Sequence, residues 1–274
     1  MKDEEFREKY GPWALIAGAS HGVGTEFARQ VAARGVNCIL LARRESALKE
    51  VQAELESAYG VQTHIIIQDL SVPDAAAGIA GQVGGRDIGL YIYNAGAPSA
   101  AKPYLRGSLD EWTGLLRQNC QTVMEFCYLF GPKLIERGRG GMLLVGSQAA
   151  LGGNKQYAMY TATKGFMANF GESLWAEWSA AGVDVLNLLI QVVDSPTLRK
   201  QMKASGIANW DAEDIGVPKP ADVAAIGLRE LPHGPTFVHP QDEQAAPGET
   251  PLGQRRREEL EERVRITAPF IGDD

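Results

Sequence analysis

Short apolar runs alternate with helical patterns along most of this chain. The runs that have the length of buried strands are residues 13–17, 36–41, 64–67, 88–93 and 142–146. Between them apolar residues recur at helical spacing, as at Val23, Phe27 and Val31. Alternation of this kind is typical of βαβ units. The pattern therefore predicts an α/β fold in one domain, with a doubly wound parallel sheet.

A glycine-rich turn joins the first predicted strand to the first predicted helix. Gly18, Gly22 and Gly24 follow a GxxxGxG spacing, with Ser20, His21 and Val23 among them. Turn glycines let the backbone approach a ligand closely, and the helix N-terminus offers N–H groups to a pyrophosphate. A turn without a ligand is the alternative interpretation. The position between strand and helix favours a dinucleotide site.

The second predicted strand ends in Ala42-Arg43-Arg44. NAD-binding folds usually carry an acidic residue there for the ribose 2′-hydroxyl. Planar guanidinium groups instead match a phosphate, and Ser20 and His21 could add hydrogen bonds to it. The alternative is a pair of solvated surface arginines. We predict that the cofactor is NADP(H).

Tyr160 and Lys164 are four residues apart in a predicted helix and share a face. A nearby ammonium lowers the pKa of a phenol, and we expect this effect to bring Tyr160 within reach of proton transfer at neutral pH. Ser147 ends the apolar run 142–146, and the carboxyl end of a buried strand faces the ligand crevice of open α/β sheets. A chance Tyr–Lys pair is the alternative.

Five stretches together resemble the single-domain branch of the short-chain dehydrogenase/reductase family. They are Gly18-x-x-x-Gly22-x-Gly24, Asp69-Leu70, Asn94-Ala95-Gly96, Asn119, and Ser147 with Tyr160-x-x-x-Lys164. The resemblance covers residues from about 12 to 195 and implies a Rossmann fold with about seven strands.

The resemblance also implies roles for single residues. Asn119, Ser147, Tyr160 and Lys164 would form a catalytic tetrad, in which Lys164 also binds the nicotinamide ribose and Asn119 holds a water. Asp69 would hold the adenine. The expected cofactor-binding residues are Gly18, Ser20, His21, Gly22, Val23, Gly24, Arg43, Arg44, Asp69, Leu70, Asn94, Ala95, Gly96, Tyr160, Lys164, Val193 and Ser195. No metal is expected.

Some segments depart from the family pattern. Ile190-Gln191 stands where the family usually has Pro-Gly, which implies a changed backbone path near the nicotinamide. Residues 197–220 correspond to the substrate lid, residues 221–231 to a helix and residues 236–238 to an edge strand. We expect an N-terminal extension at 1–11, the catalytic domain at 12–240, and a tail at 241–274 with a short charged helix near 255–265.

Composition excludes several other classes of protein. The net charge of −7 argues against a nucleic-acid partner. Arg255-Arg256-Arg257 precedes several glutamates, which is typical of a solvated helix face. Three cysteines form no CxxC motif, and no histidine spacing suits a metal. With no signal peptide and no long apolar run, we expect a reduced cytoplasmic chain with no membrane partner.

We predict an oxidoreductase that interconverts a ketone and a secondary alcohol on an apolar small molecule. Met202 and Trp210 in the lid region suggest a steroid, aromatic or acyl-chain ketone. The alternatives are an epimerase, dehydratase or lyase of the same fold, and a non-enzymatic dinucleotide sensor. The resemblance implies a homodimer or homotetramer through the helices of Asn119 and Tyr160. The apolar residues on the latter helix also suit core packing: Phe166, Phe170, Leu174 and Trp178.

Overall fold

Seven parallel strands form a single sheet in this computed structural model. They are β1 (Trp13–Ala17), β2 (Asn37–Ala42), β3 (Thr63–Ile67), β4 (Ile88–Tyr93), β5 (Gly140–Ser147), β6 (Val183–Ile190) and β7 (Thr236–Val238). Their order is β3-β2-β1-β4-β5-β6-β7, which confirms the doubly wound parallel fold. The structure describes residues 1–96, 102–196, 198–199, 202, 217–240, 242 and 251–267.

Helices connect the strands in the described part of the chain. The α-helices are α1 (Asp3–Tyr10), α2 (Val23–Ala33), α3 (Glu45–Tyr59), α4 (Ala75–Val83), α5 (Leu109–Leu116), α6 (Thr122–Arg137), α7 (Ala158–Trp178), α8 (Pro220–Glu230) and α9 (Pro251–Thr267). A π-helical turn (Arg117–Gln121) separates α5 from α6, and a 3-10 turn (Gln148–Leu151) follows β5. None of these helices has the length and apolar character needed to cross a membrane.

Both faces of the sheet are buried, so the strands are apolar along their length. In β1, Ala14 and Ile16 pack with α2, α3 and α8, for example against Phe27. Leu15 and Ala17 face the other way and pack with α4, α6 and α7. This double burial explains why the sequence predicted β1, β4 and β7 with their observed bounds. The second strand runs one residue later than predicted and includes Ala42.

The N-terminal segment is a packed helix and not a simple extension. Phe6 and Tyr10 of α1 are buried, and the Tyr10 hydroxyl donates a hydrogen bond to Asp184 at the start of β6. The helix is eight residues long and mostly charged. Only two of its side chains are buried, so the sequence of this helix shows no strong apolar period.

The C-terminal helix also differs from expectation. It extends over Pro251–Thr267, beyond the predicted 255–265. Arg255 makes the expected i,i+4 pair with Glu259. Arg256, however, pairs with buried Glu172 of α7, and Arg257 lies over the Trp175 ring. The prediction of a solvated face for all three arginines is therefore wrong, because α9 packs against α7.

Most of the expected lid lies outside the described residues, including Trp210. Met202 is described and contributes to the wall of the cleft beside the sheet.

Candidate active site

A cleft of about 1120 Å³ opens at the carboxyl ends of the strands. It lies where the strand order reverses between β1 and β4, the usual ligand position in open α/β sheets. The predicted site residues that line it are Gly18, Ser20, His21, Gly22, Val23, Arg43, Arg44, Leu70, Asn94, Ala95, Gly96, Ser147, Tyr160, Lys164, Val193 and Ser195. Gly24, Asp69 and Asn119 are not among the residues that line it.

The glycine-rich turn leaves room for a ligand against its backbone. Gly18 has φ +81°, and its N–H donates to the Leu41 carbonyl over 2.8 Å. A Cβ at Gly24 would lie 2.1 Å from the Gly18 carbonyl oxygen, so only glycine fits there. Helix α2 begins at Val23 without a side-chain cap. Its first N–H groups therefore suit a pyrophosphate, and the turn fits a dinucleotide.

Asn119, Lys164 and Gly96 meet behind the centre of the cleft. The Asn119 amide donates to Thr163 Oγ1 over 3.0 Å, and its buried Oδ1 has no partner among the described residues. A Cβ at Gly96 would lie 2.2 Å from Asn119 Oδ1 and 3.5 Å from Lys164 Nζ. Asn119 occupies the π-helical turn and not a regular helix, a form frequent at functional sites.

Lys164 is almost fully buried, with 3% of its surface exposed. Its ammonium donates to the Val145 carbonyl over 3.3 Å. Burial lowers the pKa of Lys164 to about 8. The Cys120 thiol does little to oppose this, because burial raises its own pKa to about 11 and keeps it neutral. Lys164 is therefore an amine whose charge changes close to neutral pH.

Tyr160 does not have the depressed pKa that the sequence suggested. Burial raises its pKa, Tyr157 adds to that rise, and only the hydrogen bond with Ser147 opposes it. Lys164 Nζ lies 5.8 Å from the Tyr160 ring centre and donates to a backbone carbonyl. At this distance burial outweighs any lowering by Lys164, so the prediction of a depressed pKa is wrong. The phenol is protonated at neutral pH and is a proton donor.

Ser147 ends β5 beside Tyr160, as the sequence predicted. Its Oγ accepts a hydrogen bond from the Ala149 N–H over 3.1 Å, within the 3-10 turn that follows. A hydroxyl that accepts from the backbone keeps its own proton to donate. Ser147 can therefore donate a hydrogen bond to Tyr160 or to a ligand oxygen.

Cationic side chains gather at the far end of the cleft, where β2 ends. Arg44 Nη2 donates to His21 Nδ1 over 3.0 Å, and Ser20 Oγ lies 3.1 Å from the same nitrogen. Burial, Arg44 and Arg43 lower the pKa of His21. Arg43 is 73% exposed and lies 3.7 Å from the Asp69 carboxylate. This group of side chains fits a phosphate monoester.

Asp69 was expected to contact the adenine. Its carboxylate accepts hydrogen bonds from the backbone and hydroxyl of Ser71, at 2.9 and 2.7 Å. Gln68 and Leu70, its neighbours in sequence, line the cleft in its place.

Several residues that line the cleft escaped the sequence analysis as site residues. They are Gln68, Gln118, Gln148, Ala149, Asn154, Tyr157, Gln191, Val192 and Leu198. Gln68, Gln148 and Gln191 directly follow β3, β5 and β6, so their position after a strand end was a usable signal. The others lie in turns and connections whose path depends on tertiary contacts.

Comparisons with known proteins agree with this geometry. A family model described as short chain dehydrogenase matches residues 12–205. The very-long-chain 3-oxoacyl-CoA reductase of Laccaria bicolor is 32% identical over 219 residues, which are 79% of this chain and 62% of that protein. The 7beta-hydroxysteroid dehydrogenase of Collinsella aerofaciens is 30% identical over 197 residues, 70% of this chain and 73% of that one. This chain thus spans less than two thirds of the fungal reductase.

A solved structure has the same fold over nearly the whole chain. The short-chain dehydrogenase from Sphingobium yanoikuyae in complex with NADPH gives a TM-score of 0.76 at 21% identity. The match covers 96% of this chain and 97% of that one.

Proposed function

The chain belongs to the short-chain dehydrogenase/reductase family, and from that premise we propose that it is an NADP(H)-dependent oxidoreductase. Its proposed reaction interconverts a ketone and a secondary alcohol on an apolar small molecule. One observation carries the proposal: Ser147, Tyr160 and Lys164 line one end of a cleft that also holds a glycine-rich turn. Asn119 completes the proposed tetrad behind Gly96.

The side chains divide the proton chemistry between them. When bound, the nicotinamide supplies or accepts the hydride. In reduction, Tyr160 gives its phenolic proton to the carbonyl oxygen, so that the product is an alcohol with one new C–H and one new O–H bond. Ser147 donates a hydrogen bond to the same oxygen and fixes its position.

Lys164 and Asn119 support the tyrosine. A charged Lys164 beside the Tyr160 ring stabilises the phenolate left by proton transfer. The partnerless Asn119 Oδ1 is the acceptor that we assign to a water between Lys164 and solvent. Lys164 is also assigned to the nicotinamide ribose.

The cation group at the end of β2 supports NADP(H) over NAD(H). Arg43, Arg44 and His21 lie together there, and Ala42 contributes no carboxylate at the end of the strand; the Asp69 carboxylate lies 3.7 Å from Arg43. A 2′-phosphate would meet charged donors, which bind a phosphate more strongly than neutral ones do. The bacterial structure of similar fold was solved with NADPH.

Apolar side chains in the cleft support a substrate with an apolar body. Val192, Leu198 and Met202 line the cleft, and Tyr157 lies 6.3 Å from Tyr160 between ring centres. The names of the relatives describe an acyl chain and a steroid. We therefore propose a steroid, aromatic or acyl-chain ketone.

A panel of carbonyl compounds tests this function. Steroid ketones, aromatic ketones and 3-oxoacyl thioesters, and the matching alcohols, are mixed with NADPH or NADH, and cofactor absorbance is followed. We expect turnover of at least one apolar ketone with NADPH. A protein that binds NADPH but turns over no member of the panel would point to a non-redox enzyme or a sensor.

Activity is expected to fall at alkaline pH. The ammonium of Lys164 is lost as pH rises through about 8, while the raised pKa of Tyr160 keeps the phenol protonated. We expect kcat/KM for NADPH to decline above that value, because this ratio reports groups of the free enzyme. In the Lys164→Arg variant this position stays charged at all these pH values. If the residual activity of the variant still declines at the same pH, a group other than Lys164 causes the decline.

We also propose that the protein is a homodimer or homotetramer through α6 and α7. Leu174 and Trp178 are buried in the monomer core, so half of the predicted apolar stripe is core. Tyr128 of α6 is 81% exposed, and the exposed Phe166 of α7 stacks on Phe170.

Light scattering at micromolar concentration is expected to give two or four times the chain mass of 29.6 kDa. Tyr128→Asp should shift the population to the monomer, because it places a charge in the proposed interface. Tyr59→Asp, at the exposed end of α3, is the matched control and should not shift the population to the monomer. A native mass near 29.6 kDa excludes this assembly.

A further inference from the structure

A buried carboxylate joins the C-terminal helix to the edge of the sheet. Asp242 has no exposed surface. Its Oδ2 accepts hydrogen bonds from the N–H groups of Val238 and Gly253, at 2.9 and 3.3 Å, and its Oδ1 accepts from Leu252 at 3.0 Å. Val238 ends β7, whereas Leu252 and Gly253 lie in the first turn of α9. One side chain therefore holds two elements that are far from the cofactor end of the cleft.

The contacts continue from this junction to the substrate end of the cleft. His239, the residue after β7, donates its N–H to the Leu189 carbonyl of β6 over 3.0 Å. The His239 carbonyl accepts from Gln148 Nε2 over 2.6 Å. Gln148 opens the 3-10 turn in which Ala149 donates to Ser147 Oγ. Each link is a hydrogen bond or a single peptide bond, so the path from Asp242 to Ser147 is continuous.

A second tie connects α9 to the helix that carries Tyr160 and Lys164. Glu172 of α7 is buried and accepts from Thr236 Oγ1 over 2.7 Å. Arg256 of α9 donates to the same oxygen of Glu172. The C-terminal helix is therefore attached at two places, at β7 and at α7.

We propose that Asp242 is a positioning residue for the reaction: through β7 and His239 it holds Gln148 and the turn that orients the Ser147 hydroxyl. This inference rests on the proposed function. A buried carboxylate is stable only while its donors stay in place, so Asp242 sets the relative position of β7 and α9 within hydrogen-bond tolerance. Loss of that junction frees the His239 carbonyl, and with it Gln148, to shift.

The first test is a double-mutant cycle of Asp242→Ala and Gln148→Ala in the full chain. Each variant is expected to lower kcat/KM for the best ketone of the panel by about tenfold, the effect of one lost hydrogen bond. The double variant should also lose about tenfold, because both changes break one path; independent sites would multiply to about a hundredfold. NADPH affinity, measured by fluorescence, should stay within about twofold of the native value.

The second test is hydrogen–deuterium exchange, which needs no substrate. Asp242→Ala should speed exchange both in residues 251–267 and in residues 148–157. Gln148→Ala should speed it only in 148–157. Arg255→Ala, which removes an exposed pair on the same helix, is the matched control and should not change exchange in residues 148–157. If Asp242→Ala does not fold, Asp242→Asn, of equal size, takes its place.

The outcomes separate this inference from the proposed function. If Asp242 variants loosen 251–267 but leave 148–157 protected, the residue caps a helix and positions nothing, and the inference is overturned. A multiplicative loss in the cycle, or an equal loss of NADPH affinity, overturns it as well. If no ketone is turned over by the native protein, the proposed function fails, and the exchange result alone decides whether Asp242 holds the turn.

Discussion

Replacement of Tyr160 by phenylalanine is expected to lower kcat by at least about a hundredfold, the scale of general acid catalysis. The change removes the one proton that the mechanism transfers and the hydrogen bond with Ser147, and it leaves the ring, its burial and its ring contacts in place. Affinity for NADPH is expected to stay near the native value, since the lost hydroxyl is assigned to the carbonyl oxygen. Stopped-flow turnover and NADPH fluorescence measure the two quantities on the same preparation.

Tyr157→Phe is the matched control for this variant. Its ring lines the same cleft and packs edge to face with Tyr160, but its hydroxyl has no assigned proton transfer. We expect it to keep kcat within about threefold of the native value. If Tyr160→Phe retains more than about a tenth of native kcat, a barrier change below ~1.4 kcal/mol, then Tyr160 is not the acid.

Arg43→Ala is expected to raise KM for NADPH by about ten- to a hundredfold and to leave KM for NADH nearly unchanged. A charged hydrogen bond contributes about 1.5–3 kcal/mol, which corresponds to that range. Ala42→Asp should penalise NADPH further, because its carboxylate would repel the 2′-phosphate. Steady-state kinetics with both cofactors and one ketone measure the preference as a ratio of kcat/KM.

Lys49→Ala is a suitable control for the loss of a cation near this end of the fold. Lys49 pairs with Glu45 on the exposed surface of α3 and does not line the cleft. It should leave both KM values unchanged. If the native protein prefers NADH in kcat/KM, then Arg43 and Arg44 are solvated surface residues and do not bind a 2′-phosphate.

Much of the fold followed from local pattern because the sheet is buried on both faces. A strand covered on two sides must be apolar throughout, so β1 and β4 stood out as short apolar runs with their observed bounds. The glycine spacing at the start of α2 could also be recognised from the sequence, because a side chain at Gly24 would collide with the Gly18 carbonyl. Ser108 directly precedes α5, and its Oγ accepts a hydrogen bond from the Glu111 N–H, as an N-cap residue does.

The sequence alone thus determined the α/β fold, the order in which strands and motifs follow one another along the chain, and the types of residue available at the cleft. Tertiary structure decided the rest. The helices α1 and α9 carry few apolar residues. Contacts with partners distant in sequence help to hold them, such as those of Tyr10 with Asp184 and of Arg256 with Glu172. The pKa values of Tyr160 and Lys164 depend on burial and on where each polar atom finds its partner. Spacing along a helix predicts that two side chains share a face, but it does not predict how far both are removed from water.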